Sequence, residues 1–430
     1  MKATAVTVVL RVLVGSSIVI GPTGGLIGAA RAQAPAPAPL RSLPIEVSRT
    51  RTTPAARAPL DARARRAAVA IRLYRELARG RGNLFASPYS LEMVLAMAQA
   101  GARGSTARAF AEVLGSDPAG SPARPGGKGL IFTVANALWA QAGFPLNSEY
   151  VTEIRRKFDG SVQSLDFSGA PRTAAQTINH WVSVNTRGRI GSLVSPSDLE
   201  QQTSLILTDA VYFKAAWEKS FNPGNTYKQS FHLRGGRRVQ SKMMHNTAHF
   251  PFYRGKNFKM LVLPFRGGHD AVDMLVLLPD HIIQLRSLER RLSVSALNEW
   301  VGRANEKLVE VTLPRFRDTD LLDLSAAARA LGVAVAFSKR QADFAGIAPL
   351  VSRRLYVSDI LQKTYVDLDE KGTEAAAATM MIMKAAAARY DSPREEPIEF
   401  DANHRFIYLI RDETTGDILF IGRMANPQRR

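Results

Sequence analysis

The sequence predicts an α+β fold built on large sheets, and three observations carry that reading. Helical periodicity dominates residues 61–115. From 205 onwards, runs rich in β-branched and aromatic residues recur at 205–214, 258–264, 272–278, 309–313, 406–410 and 418–422. Helical stretches at 147–158, 174–184 and 324–331 fall among them with neither regular βα alternation nor an internal repeat, which argues against a doubly wound sheet.

Each element has a local reason. The first helix starts near Asp61, where Ala67, Ile71, Tyr74 and Leu77 recur at helical spacing with arginines between them. Ser87-Pro88 opens a second. Serine satisfies a free first-turn N–H, and proline suits a position whose N–H has no helical partner. Its apolar face is Leu91, Val94, Leu95 and Ala98. Ser105 is expected to cap a third helix ending at Gly115, and the Gly/Pro/Ser-rich stretch 116–128 reads as a loop. Residues 364–368 read as a strand leading into Gly372.

The chain has 430 residues, ordinary hydrophobic content at 46%, and no cysteine. The last point excludes a disulfide framework, a thiolate nucleophile, Cys-ligated zinc and an iron–sulfur cluster. Length alone suggests two or three domains. The net charge of +19 raises polyanions and membrane surfaces as partners, but eleven of those charges belong to residues 1–82, where fourteen basic groups face three acidic ones. A solvated basic tail is therefore favoured over polyanion binding. No nucleic-acid partner is expected, because neither an RNA-binding aromatic signature nor a helix-turn-helix is present.

The N-terminus has the layout of an export signal. Lys2 precedes the apolar stretches 3–10 and 12–20, broken by Arg11, and cleavage sites follow at Ala32 and Ala34. No run reaches about 18 apolar residues, so no stable membrane insertion is expected. The expected division is a signal peptide at 1–34, an Ala/Pro- and Arg-rich linker at 35–60 and a folded body at 61–430, with the mature protein secreted or periplasmic.

No enzyme constellation emerges: there is no GxSxG, HExxH, P-loop or strand–helix GxGxxG. His245 and His249 have metal spacing only on a helix, which 242–247 does not resemble. No metal and no cofactor are expected. Gly235-Gly236-Arg237-Arg238 reads as a hairpin turn ahead of an anion site, and Glu395-Glu396 as a solvated loop.

The unusual segment is 369–390, DEKGTEAAAATMMIMKAAAARY. Its Ala and Met content favours helix. Yet Thr373, Ala375, Ala377, Thr379, Met381 and Met383 share one uncharged parity, with Glu374 and Lys384 on the other, as a strand entering a core requires. Both states are open to it.

The stretch Glu370-Lys371-Gly372-Thr373-Glu374-Ala375-Ala376-Ala377-Ala378-Thr379 closely resembles the reactive-centre-loop hinge of inhibitory serpins. Asn83-Leu84-Phe85-Ala86-Ser87-Pro88-Tyr89-Ser90, Gly101-Ala102-Arg103-Gly104-Ser105-Thr106-Ala107, Val134-Ala135-Asn136-Ala137-Leu138-Trp139, Ala210-Val211-Tyr212-Phe213-Lys214-Ala215-Ala216-Trp217 and the stretch 400–427 resemble the same family in order. The likeness spans about 60–428 and makes the body one domain with three β-sheets, eight or nine helices and an exposed loop.

The resemblance implies a suicide-substrate inhibitor, not an enzyme. A serine protease cleaves the loop, with cysteine proteases a second target class. The hinge then inserts into the main sheet and traps the acyl-enzyme. Loop length usual in the family puts the reactive bond between Ala386 and Ala387, with Lys384 and Arg389 as rivals. Alanine suits an elastase-like or subtilisin-like protease, and either rival a trypsin-like one. The breach, where insertion begins, corresponds to Trp217, Arg315 and Glu370, and the central shutter to Ser87, Ser90, Asp209 and Gln362. Here Arg315 replaces a usual Lys, Asp209 a usual Asn and Gln362 a usual His. Only 116–129 stands where many members carry a heparin-binding helix, which weakens that route to polyanion binding. The alternative within the family is a non-inhibitory carrier or chaperone-like protein.

Overall fold

The computed structural model describes residues 60–115, 130–266, 272–349, 354–373 and 395–428. The chain opens with α1 (Leu60–Leu77), β1 (Leu84–Ala86), α2 (Pro88–Gly101) and α3 (Gly104–Leu114). Next come β2 (Ile131–Gln141), α4 (Ser148–Phe158), β3 (Ser161–Leu165), α5 (Pro171–Asn185) and β4 (Leu205–Ala216). A run of strands follows: β5 (Thr226–His232), β6 (Arg238–Gly255), β7 (Phe258–Pro264) and β8 (Val272–Pro279). After α6 (Leu285–Arg291) and α7 (Val294–Gly302) lie β9 (Asn305–Pro314), β10 (Phe316–Asp323) and α8 (Ser325–Ala328). The last strands are β11 (Val357–Asp369), β12 (Gly372–Thr373), β13 (Ile398–Asp401), β14 (Phe406–Asp412) and β15 (Ile418–Met424).

The described strands form two hydrogen-bonded sheets. One runs β10-β11-β12-β4-β2-β3, and the other β1-β15-β14-β8-β7-β6-β9-β13 with β5 beside β6. Two of the three expected sheets join into one network because β6 is 18 residues long. Its start pairs with β5, its middle with β9 and its end with β7.

The middle of the six-stranded sheet is covered on both faces, so strand β4 is buried almost throughout and does not alternate, whereas β10 and β3 at its edges carry exposed residues. One face packs on α5 through Trp139, Ile178, Val182 and Tyr212. The Trp139 indole N–H donates to Thr208 Oγ1 at 2.8 Å, which satisfies the one polar group of a fully buried ring. The other face receives α2, whose Tyr89 and Met93 meet Phe132 and Phe213.

The local start signals mostly hold. Ser87 caps α2 by accepting from Ser90 N, with Pro88 in the first turn. Ser105 does not cap α3: the N-cap is Arg103, and the chain turns in at Gly104 with φ +54°. The Arg103 guanidinium instead closes the preceding turn by donating to the carbonyls of Ala100 and Ala102. The helix expected at 324–331 shortens to α8 and runs on through a π turn broken at Gly332, φ +133°.

A buried ion pair ties the end of α1 to α6 and β15. Arg423 on β15 donates to Glu289 on α6 at 2.9 Å and to the carbonyls of Ala78, Gly80 and Gly82 just beyond α1. The Tyr74 hydroxyl donates to the same carboxylate at 3.1 Å. Removing one partner of a buried pair costs about 3–5 kcal/mol. Arg423→Met is therefore expected to lower the thermal midpoint in a melt followed by circular dichroism; an unchanged midpoint would show the pair to be idle.

Candidate functional site

Strands β4 and β11 are adjacent and parallel from Val357↔Leu205 to Tyr365↔Tyr212. Beyond that point they diverge, and β12 lies between them. Thr373 stands opposite Leu368 on one side and Ala215 on the other, and Gly372 opposite Asp369 and Ala216. The chain reverses through Asp369, whose side chain accepts from Lys371 N at 2.9 Å. Gly372 has φ +131°, and a Cβ there would overlap the Ala215 carbonyl and lie 2.7 Å from Ala216 Cα, so no side chain fits. Thr373 is fully buried, and its Oγ1 accepts from Ala215 N at 2.5 Å.

Trp217 holds this entry from the side. Its backbone N–H donates to Lys371 O at 2.8 Å and its indole N–H to Asp369 O at 2.9 Å, while Phe221 N donates to Glu370 O at 2.8 Å. The indole stacks on Phe265 at 4.4 Å. Arg315 reaches Glu370 at 3.7 Å, but its side chain is 41% exposed. A half-exposed pair of that length is worth little. The turn is held by the backbone bonds, and Arg315 adds a weak attraction. Burial raises the Asp369 carboxyl pKa, against the pull of the Lys371 N–H and Arg315.

Halfway down the ladder, Asp209 on β4 faces Gln362 on β11 and Asn136 on β2. Gln362 Nε2 donates to Asp209 Oδ2 at 2.6 Å and to Ser87 O at 2.9 Å, and its Oε1 accepts from Ser87 N at 2.8 Å. The Ser90 hydroxyl meets Asp209 Oδ1 and also stands 3.2 Å from Asn136 Oδ1. Ser87 Oγ donates to Leu419 O at 2.8 Å, tying the start of α2 to β15. Burial pushes the Asp209 carboxyl up to about 7, against the hydrogen bonds from Ser90 and Gln362 that pull it down.

The structure thus brings Ser87, Ser90, Asp209 and Gln362 into one cluster, and Trp217, Arg315, Glu370, Gly372 and Thr373 into another. It adds Asn136, whose signal was a lone polar residue inside the apolar run 134–139. It also adds Thr364, whose Oγ1 donates to Phe85 O at 2.9 Å. Glu374, Ala375, Ala376, Ala377, Ala378 and Thr379 of the expected hinge lie outside the described residues, as do Lys384, Ala386, Ala387 and Arg389, and the stretch 116–129. His245 and His249 sit on strand β6; His245 stacks on Tyr227 at 4.4 Å and bonds Thr312 Oγ1 at 3.0 Å. Gly235 and Gly236 form the β5–β6 turn with φ +78° and +79°.

Alanine at 372 faces both the steric overlap and a left-handed backbone, the latter costing about 1–2 kcal/mol. Gly372→Ala is expected to unseat β12 and to speed amide exchange at Trp217 and Phe221 about tenfold, the factor that 1.4 kcal/mol implies. Exchange as slow as in the parent chain would show that the seat does not need glycine.

The comparisons with known proteins agree with this architecture. The family model described as "Serpin (serine protease inhibitor)" matches residues 64–427. An uncharacterized serpin-like protein of Thermococcus kodakarensis is 37% identical over 369 residues, covering 83% of each chain. The leukocyte elastase inhibitor of Sus scrofa is 34% identical over 364 residues, 80% of this chain and 93% of its own length. Among solved structures, a highly specific serpin of the insect Tenebrio molitor superposes with a TM-score of 0.76 at 30% identity, covering 85% of this chain and 98% of its own. With a family model spanning the whole body and relatives this similar over most of their length, the chain belongs to the serpin family.

Proposed function

We propose that this serpin is an exported suicide-substrate inhibitor of serine proteases. The observation that carries the reading is the seat of Gly372 and Thr373 between β4 and β11, with the two strands still paired below. Gly372 and Thr373 occupy the place a strand insertion would take first, above a β4–β11 ladder that is still paired. Continuing β12 downwards puts Ala375, Ala377 and Thr379 on the same face as buried Thr373, because alternate residues share a face. All are small and uncharged. Glu374, Ala376 and Ala378 take the other face.

Insertion competes with hydrolysis of the acyl-enzyme, so the hinge must enter the sheet without a steric or electrostatic barrier. The attacked carbonyl is that of Ala386, and the small residue selects an elastase-like or subtilisin-like protease. Cleavage at Lys384 or Arg389 instead selects a trypsin-like one. A carrier or chaperone-like role would place no such demand on the hinge.

Mixing the mature protein with an elastase-like and a trypsin-like protease is expected to give a complex resistant to SDS, with the released C-terminal fragment starting at Ala387 by mass spectrometry. Loop cleavage by both proteases with their activity intact would refute the inhibitor reading. In a second measurement, Thr373→Arg puts a charge in the buried seat. A buried unpaired cation is strongly unfavourable, so this variant is expected to be cleaved as a substrate with little or no complex. Complex formation at the parent level would remove strand insertion as the mechanism.

A further inference from the structure

Asp209 is an ionisable group at the one place where the sheet must part. Its side chain is wholly buried, and two donors reach it, the Ser90 hydroxyl and the Gln362 amide. The groups that face it are Ser90 from α2, Asn136 from β2 and Gln362 from β11, none of them ionisable. The charged residues that share β4 and β11 with it, Lys214, Asp359, Lys363, Asp367 and Asp369, fall on the strand parity opposite to Asp209 and Gln362. Lys363 donates to Ser192 O, Asp320 on β10 accepts from Phe85 N, and Glu92 on α2 interacts with Asp417 and Arg66. Among the described residues, no cation stabilises the Asp209 anion.

The cluster is complete in both protonation states. With Asp209 ionised, Ser90 donates to Oδ1. With Asp209 protonated at Oδ1, the acid donates to Ser90 Oγ, and the Ser90 hydroxyl turns to Asn136 Oδ1 at 3.2 Å. Gln362 Nε2 keeps its bond to Oδ2 in either case, and that bond spans the gap a new strand must enter.

We propose that Asp209 is a proton-operated gate on sheet opening: protonated, it rests neutral in the shut sheet; ionised, it favours separation of β4 from β11. Interposing a strand widens that spacing by about 5 Å, which takes Gln362 away and admits water to the carboxyl. The anion loses one bond but escapes burial, the largest cause of its upward shift. The sign follows. A carboxyl held above its ordinary value steadies the shut sheet below that ordinary value, and the contribution is lost as pH rises through about 7. Opening therefore becomes easier on the alkaline side.

The consequence for trapping rests on the inhibitor reading, whereas the gate itself is read on the free protein. Amide exchange of β4 and β11, corrected for intrinsic rates, is compared in the parent chain, Asp209→Asn and Ser90→Ala between about pH 5.5 and 8.5. Asn keeps the shape and the Gln362 bond without the charge. The parent is expected to show a step in opening that climbs with pH and levels off near pH 7, tenfold in all for each unit by which opening lowers the pKa. The step is absent from Asp209→Asn and moves to higher pH in Ser90→Ala, which lacks one bond favouring the anion. If Asp209→Asn does not fold, the Ser90→Ala midpoint decides alone. A parent profile parallel to that of Asp209→Asn, a step of opposite sign, or an unmoved Ser90→Ala midpoint overturns the gate. With one protease, the fraction trapped by the parent relative to Asp209→Asn is expected to rise through the same pH range. Absence of complex at every pH refutes the inhibitor reading and leaves the exchange result standing.

Discussion

The ladder between β4 and β11 is the interaction on which the rest of the molecule depends. It closes the six-stranded sheet below Tyr365 and leaves it open above, where β12 enters. Two parallel strands joined without a strand between them can be parted in favour of a third. Antiparallel pairing on both sides of a new strand offers more and better hydrogen bonds than the parallel pairing it replaces. That difference is the driving force available for a strand insertion, and the buried side chains at the junction control access to it.

Control is exerted at two levels of that ladder by unlike means. At the top, Gly372 lets the backbone pass where a side chain would collide, and Trp217 fastens the incoming turn by its own main chain and indole. Contact there is steric and directional, and the Arg315–Glu370 pair contributes little beside it. In the middle, Gln362 bridges the start of α2 to Asp209, so the helix packed behind the sheet senses whether the strands are together. A carboxyl in place of an amide makes that link sensitive to protons. The price, once Asp209 is ionised, is a fully buried charge with no counter-ion among the described residues.

Much of this was legible from residues alone. Ser87-Pro88 marks the start of α2 because capping is a local event, and 258–264 and 418–422 read as strands because they are rich in apolar, β-branched and aromatic residues. The hinge stood out because its small residues suit helix by propensity and strand by parity. Other features were not legible. β2 carries Ala135, Asn136, Ala137 and Ala140, residues that strands disfavour, and β6 runs through polar residues that gain their pairing only from β5, β7 and β9. Ser105 looked like a cap, but the backbone turn at Gly104 assigns that place to Arg103.

The sequence by itself determined the α+β class, the absence of disulfides, the alternation of the hinge and the presence of Asp209 and Gln362, because each is a matter of composition or of spacing along one chain. Only the tertiary structure decided that Asp209 and Gln362, 153 residues apart, meet at 2.6 Å across the opening of the sheet. Only it decided that Thr373 is already seated, that Trp217 holds the turn, and that Asn136 offers Ser90 a second acceptor. The reason is physical: a carboxyl's proton affinity is set by what surrounds it in space, and packing brings those groups from four distant segments of the chain.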